Sequence, residues 1–148
     1  MNLRSMLLPE QTNEDPRPLV VIVEDDGAVA DLGSELCDLA GARATTFPAA
    51  LSLMRAMNDG LTPRVVVLDW RLEREVSAGL FLALRHRHPD LPVLLWTGAG
   101  AHQLPEMILR DPLTRVVTKG AGGDPFVAGI GWALQCSAAD ELAGPLEA

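Results

Sequence analysis

The sequence predicts an α/β protein with a doubly wound, five-stranded parallel sheet and five flanking helices. Residues 65–68 are branched apolar side chains that run directly into Asp69, a pattern typical of a strand buried on both faces of a parallel sheet. Strand patterns and helix patterns alternate five times along the chain, which predicts crossover helices on both faces of that sheet. A length of 148 residues with 48% hydrophobic composition suits one domain with one core.

The elements before the central strand are predicted from apolar runs and capping residues. Residues 19–23 form an apolar strand, and Asp26 is a suitable N-cap for the helix after it. Gly41 ends that helix, residues 42–46 form a weak strand, and Pro48 opens the second helix. The predicted core face of the first helix consists of Val29, Leu32, Leu36 and Leu39 or Ala40.

After the central strand at residues 65–69, the acids and arginines of residues 70–77 show no apolar period and predict a loop. A third helix follows at residues 78–88, and Pro92 separates it from the apolar strand at residues 93–97. The inner face of that helix is predicted to carry Phe81, Leu82 and Leu84.

The last third of the chain contains two helices and one strand. Residues 102–110 form a short helix with Pro105 in its first turn, where proline is tolerated. Residues 115–118 form a shorter, more polar strand near an edge. Asp124 caps the last helix, which Pro125 opens. Its apolar face consists of Val127, Ile130, Ala133 and Leu134.

The composition excludes several classes of protein. Twelve basic and twenty acidic residues give a formal net charge of −8, which disfavours nucleic acid and anionic membranes as partners. No apolar run is long enough to span a bilayer, and residues 1–18 lack the apolar stretch of a secretory signal. Cys37 and Cys136 lack metal spacing and are expected to be free thiols, although a disulfide stays open. We therefore expect a cytoplasmic protein.

Polar side chains follow four of the predicted strands at the points where they end. Glu24 and Asp25 follow the first strand, Asp69 ends the third, Thr97 ends the fourth and Lys119 follows the fifth. The carboxyl ends of parallel strands lie at one edge of a sheet, so these residues are expected to converge there. Three carboxylates suit a hard cation such as Mg²⁺, and an ammonium with a hydroxyl suits phosphoryl oxygens. This combination is typical of a carboxylate that attacks phosphorus and forms an acyl phosphate.

Over residues 19–135, the chain resembles the receiver domain of bacterial two-component response regulators. The resemblance depends on four short motifs that occur in order on the expected strands. They are Val23-Glu24-Asp25-Asp26, Val67-Leu68-Asp69-Trp70, Leu95-Trp96-Thr97-Gly98-Ala99 and Val117-Thr118-Lys119. The resemblance implies a CheY-like (flavodoxin-like) fold with strand order 2-1-3-4-5, in which the sheet lies between two helices and three.

The resemblance also implies a role for each site residue. Asp69 would be the phosphorylation site, receiving its phosphoryl group from the phosphohistidine of a histidine kinase or a phosphotransfer protein. Thr97 and Lys119 would contact the phosphoryl oxygens. The Mg²⁺ ligands would be Glu24, Asp25, Asp69 and the backbone carbonyl of Arg71.

Three features depart from the family pattern. Residues 72–78 replace the short Pro-Gly type of turn that usually follows the phosphorylated aspartate. Residues 115–117 lack the aromatic residue whose inward swing often accompanies activation, and the chain contains no tyrosine. Gly120 replaces the proline that commonly follows the lysine, which loosens that turn.

Two other functions fit parts of the pattern. A phosphatase or hydrolase with an aspartyl nucleophile generally has a second acid two residues later, where this chain has Arg71. A degenerate receiver would be a non-phosphorylated binding scaffold, which the departures favour and the complete residue set disfavours. Single residues also have simpler explanations, because Asp69 alone could cap a helix and Lys119 alone could be surface charge. We expect a protein that promotes only its own phosphorylation and dephosphorylation, not an enzyme.

The predicted organisation is a flexible leader at residues 1–18, a receiver domain at residues 19–138 and a flexible tail at residues 139–148. Too few residues follow the domain for a separate output domain. We therefore expect a stand-alone receiver that signals through contacts with a downstream protein target. The sequence leaves homodimerisation, the cognate kinase and the pathway open.

Overall fold

The computed structural model describes residues 15–70, 74–98 and 104–147, and these residues confirm the predicted α/β fold class. The strands are β1 Leu19–Val23, β2 Arg43–Phe47, β3 Val65–Asp69, β4 Val93–Thr97 and β5 Thr114–Thr118. The helices are α1 Gly27–Leu39, α2 Ala50–Asn58, α3 Arg74–Arg87, α4 Glu106–Leu109 and α5 Asp124–Glu147. A 3-10 turn at Lys119–Ala121 follows β5.

The five strands form one parallel sheet in the order β2-β1-β3-β4-β5, as expected. The central strand β3 is buried along its whole length, and Val65 to Leu68 have no exposed surface. A strand with apolar side chains on both faces requires a helical layer on each side of the sheet. The polar strand β5 lies at one edge of the sheet, which confirms its predicted position.

Two apolar layers cover the two faces of the sheet. On one face, side chains of α1 and α5 pack against the sheet, including Leu36, Phe126 and Ile130. On the other face, side chains of α2, α3 and α4 do so, including Leu53 and Ile108. The sheet therefore lies between two helices and three, as the resemblance implied. Within the described residues, no helix is both long and apolar enough to cross a membrane.

Capping at both ends of α1 confirms the sequence prediction. The Asp26 carboxylate accepts hydrogen bonds from the backbone N–H groups of Ala28 and Val29, at 3.0 and 3.2 Å, which satisfies donors that the helix itself leaves free. Gly41 has a φ of 86°, a left-handed conformation that favours glycine immediately after a helix.

The buried face of α1 differs from the prediction. Leu32 and Leu39 are 48% and 75% exposed, whereas Ala30 and Gly33 are buried beside the expected Leu36. At Gly33 the sheet leaves no room for a larger residue, because a Cβ atom there would lie 3.0 Å from Cδ1 of Ile22 and 3.1 Å from the ring of Trp96 on β4. Leu82 on α3 was also expected to be buried and is 51% exposed.

Several boundaries also differ from the prediction. The helix α3 begins at Arg74, so the second half of the expected loop at residues 70–77 is helical. The helix α5 continues to Glu147 instead of ending near residue 138, because residues 138–143 are mostly strong helix formers. The helix expected at residues 102–110 is shorter, because α4 begins at Glu106 and Pro105 precedes it instead of standing in its first turn. Residues 102–103 of that helix, and residues 1–14 of the expected leader, lie outside the described residues.

Candidate functional site

The carboxyl ends of β1, β3 and β5 bring three of the predicted site residues into contact. The ammonium Nζ of Lys119 lies 2.9 Å from Oε1 of Glu24 and 3.2 Å from Oδ1 of Asp69. All three side chains are largely buried, with 16%, 2% and 3% of their surface exposed. One lysine therefore joins acids that are 45 residues apart in the sequence, Glu24 and Asp69.

Strand alternation places this contact on one face of the sheet. Val65 and Val67 of β3 point into the layer covered by α1 and α5, so Asp69 follows them onto that face. Trp96 of β4 is in register with Asp69 and packs in the same layer. The acid therefore lies at the rim of the α1–α5 layer, where Lys119 reaches it from β5.

Burial changes the protonation equilibrium of Glu24. Loss of water around its carboxyl group raises the pKa of Glu24 above its ordinary value of 4.5, and the neighbouring Asp69 carboxylate adds to the rise. Hydrogen bonds from the Lys119 ammonium and from the backbone N–H of Asp26 act in the opposite direction and stabilise the ionised form. Desolvation is the largest of these effects, so the pKa is raised.

Asp25 completes a group of acids with Glu24 and Asp69. One carboxylate oxygen from each residue lies within 4.8 Å of those of the other two. Asp25 is exposed, whereas the other two are buried. A cavity of about 440 Å³ opens beside them, lined by Glu24, Asp25, Asp26, Val29 and Lys119. The prediction that these acids converge is confirmed.

The donor set fits a hard divalent cation. Three carboxylates in close proximity repel one another, and oxygen ligands from carboxylates are those that Mg²⁺ prefers. Asp25 is accessible from the cavity, so a cation that keeps some of its water molecules has room beside it. Asp26 is not part of this set, because its carboxylate caps α1 as predicted.

Two further predicted site residues belong to the neighbouring strands β4 and β3, because Thr97 ends β4 and Arg71 follows β3 in the sequence. Thr97 is fully buried at the end of β4, where it follows Trp96 and is in register with Thr118. Arg71, whose backbone carbonyl was expected to bind Mg²⁺, lies outside the described residues. Ala99, the last residue of the third motif, lies outside them as well.

Two residues near the site were missed by the sequence analysis. The hydroxyl of Ser77, which is fully buried, donates a 3.1 Å hydrogen bond to the backbone carbonyl of Asp69. Ser77 stands three residues before Leu80 and seven before Leu84. This helical spacing places it on the same inward face of α3 and could have identified it. Trp96 was named only as part of the third motif, and its ring centroid lies 5.5 Å from Nζ of Lys119.

Comparison with solved structures identifies similar proteins, although no family model and no curated protein matches the sequence. The NtrX chain from Brucella abortus crystallised with ADP is 25% identical, with a TM-score of 0.76 over 88% of this chain and 29% of that chain. The receiver domain of the same NtrX is 26% identical, with a TM-score of 0.69 over 78% of this chain and 98% of the domain.

A more distant structure shows the same fold. The signal receiver domain of a putative LuxO repressor protein from Vibrio parahaemolyticus is 16% identical, with a TM-score of 0.75 over 86% of this chain and 97% of that one. The chain thus spans about a third of the NtrX chain and nearly the whole of single receiver domains.

Proposed function

We propose that this chain, which has the fold of response regulator receiver domains, accepts a phosphoryl group on Asp69. The observation that supports this function best is the position of the Lys119 ammonium, which contacts Asp69 and Glu24 together at the carboxyl edge of the sheet. A buried carboxylate beside a fixed cation has the parts needed to attack phosphorus and to stabilise the charge that develops.

In the proposed reaction, a carboxylate oxygen of Asp69 attacks the phosphorus of a phosphohistidine on a histidine kinase or a phosphotransfer protein. A P–O bond forms, the P–N bond breaks, and its electron pair returns to the imidazole nitrogen. The product is an acyl phosphate on Asp69. Lys119 neutralises a phosphoryl oxygen, and the hydroxyl of Thr97 donates a hydrogen bond to another.

Mg²⁺ is the cofactor that the acid cluster fits best. Glu24, Asp25 and Asp69 would hold it, together with the backbone carbonyl of Arg71. When bound, the ion would offset the negative charge of the phosphoryl oxygens. The three carboxylates lie close enough together to bind one cation, and the Lys119 ammonium beside them already stabilises the ionised form of Glu24.

The proposed signal passes through protein contacts in the cytoplasm. Phosphorylation adds negative charge beside Lys119 and Thr97, and residues 98–110 directly follow Thr97 in the chain. We expect this segment to respond and to alter binding of a downstream protein. Titration with beryllofluoride and Mg²⁺ tests this by amide chemical shifts, and unchanged shifts in residues 98–110 would contradict it.

The decisive experiment is incubation with acetyl phosphate and Mg²⁺ followed by intact mass measurement. The wild-type protein should gain the mass of one phosphoryl group, and Asp69→Asn should not. Asp31→Asn, which removes an exposed carboxylate from α1, is the matched control and should react like the wild type. Chelating Mg²⁺ with EDTA should suppress the gain in mass.

The same experiment separates the proposal from the scaffold alternative, and a hydrolysis assay tests the phosphatase alternative. A wild-type protein that gains no mass at Asp69 would refute the proposal and favour a non-phosphorylated scaffold. Steady turnover of a generic phosphate ester would instead indicate a phosphatase.

A further inference from the structure

Lys119 must cross a neighbouring strand to reach the acids. It follows β5, whereas Asp69 lies on β3, and β4 separates these strands. Adjacent strands are about 4.8 Å apart, so the lysine side chain extends over β4 before its ammonium meets the carboxylate. The β4 residue in register with Asp69 is Trp96, and its ring centroid lies 5.5 Å from Nζ of Lys119.

The indole ring of Trp96 is held from two sides. Phe126 at the start of α5 packs against it, with ring centroids 4.7 Å apart and planes tilted by 59°. On the α1 side, a Cβ atom at Gly33 would lie only 3.1 Å from the ring, so the absence of a side chain there lets the helix approach it. Trp96 is 3% exposed, which leaves its ring little room to move.

An aromatic face attracts a cation, and the attraction grows where water is excluded. The ammonium of Lys119 is nearer to Glu24 than to Asp69, at 2.9 and 3.2 Å, so the two acids compete for it. An aromatic ring in register with Asp69 favours the lysine position from which both acids are in reach. With a side chain that has no π face at this position, the two carboxylates alone would determine where the Lys119 ammonium lies.

We propose that Trp96 is a positioning residue for Lys119, and that its ring keeps the ammonium beside Asp69 rather than on Glu24 alone. The inference rests on the proposed function, because its consequence is a faster phosphoryl transfer to Asp69. It assigns to β4 an aromatic residue that acts on the site, in a chain whose fifth strand carries none.

The test compares Trp96→Phe, which keeps an aromatic face, with Trp96→Leu, which does not. With acetyl phosphate and Mg²⁺, the rate of mass gain should fall by about three- to tenfold in Trp96→Leu and much less in Trp96→Phe. The matched control is Trp132→Leu on α5, where a half-buried tryptophan lies 4.5 Å from the guanidinium of Arg115, outside the site. Its rate should equal that of the wild type.

A second measurement reports the contact without using the reaction. The Cε protons of Lys119 should show an upfield ring-current shift in the NMR spectrum of the wild-type protein. The shift should persist, reduced, in Trp96→Phe and disappear in Trp96→Leu. Far-UV circular dichroism checks that each variant is folded, and Trp96→Met replaces Trp96→Leu if the latter does not fold.

The possible outcomes separate the two hypotheses. A wild-type protein that gains no mass at Asp69 refutes the proposed function and this inference with it. A wild-type protein that reacts normally, while Trp96→Leu reacts at the same rate, refutes the positioning role alone. Absence of the ring-current shift in the wild type refutes it as well.

Discussion

Replacing Lys119 with methionine tests whether one ammonium balances the buried acids. The variant keeps most of the side-chain volume and removes the charge that lies 2.9 Å from Glu24 and 3.2 Å from Asp69. Removing one partner of a buried ion pair leaves an uncompensated charge and typically costs about 3–5 kcal/mol. Glu24 can take up a proton, which removes part of the uncompensated charge and limits the loss to the lower end of this range. We therefore expect the free energy of unfolding to fall by about 3 kcal/mol at neutral pH in EDTA.

Mg²⁺ should restore part of this loss. A cation among the three acids replaces the missing ammonium, so the variant should bind it more tightly than the wild type, by about tenfold, or about 1.4 kcal/mol. At the same saturating concentration, the gain in unfolding free energy on adding Mg²⁺ should be larger for Lys119→Met by about this amount.

The assay is urea unfolding followed by tryptophan fluorescence, in EDTA and in Mg²⁺ at constant ionic strength. Arg110→Met is the control, because it removes an exposed cation paired with Glu106, with exposed fractions of 78% and 70%. Such a surface pair should change stability by only a few tenths of a kcal/mol. Equal gains from Mg²⁺ in Lys119→Met and the wild type would show that the lysine and the metal do not share the same acids.

Three further predictions concern stability. The raised pKa of Glu24 means that the folded state binds a proton more tightly than the unfolded state, so stability falls as pH rises from 4.5 through the folded-state pKa of this group. Urea unfolding in EDTA across this range should show a smaller fall in Glu24→Gln than in the wild type, and identical pH profiles would contradict the prediction. Arg85→Met should lower the unfolding free energy by about 3 kcal/mol, because its guanidinium contacts the half-buried Asp111 at 2.7 Å and donates a 2.7 Å hydrogen bond to the backbone carbonyl of Leu91. Asp111→Asn removes the charge and leaves one acceptor oxygen for two donors, Arg85 and the backbone N–H of Leu113, so it should cost about 1–2 kcal/mol. No measurable loss in either variant would count against the ion pair. Gly41→Ala should destabilise by about 1 kcal/mol because its φ is 86°. Gly131→Ala, in open space inside α5, should stabilise by about 0.5–1 kcal/mol, and the same sign of change at both glycines would refute the backbone argument.

Much of the fold was determined locally and was therefore predictable from the sequence. The apolar run before Asp69 specified a strand buried on both faces, and the alternation of strands with helices specified parallel pairing. Parallel strands end at one edge of a sheet, so the convergence of Glu24, Asp69 and Lys119 followed from their positions after strands. Capping by Asp26 followed from local backbone chemistry in the same way.

Features that depend on contacts between distant residues were decided by the tertiary structure. The helical period of α1 predicted that Leu32 faces the core, but Gly33 does so instead. Ile22 on β1 and the ring of Trp96, from a strand far along the chain, lie too close to Gly33 for a larger side chain. Which acid the lysine meets first, and the aromatic ring over which it passes, depend on strand order and register. Periodicity specifies that a helix has an apolar face, whereas the shapes packed against it decide which residues form that face.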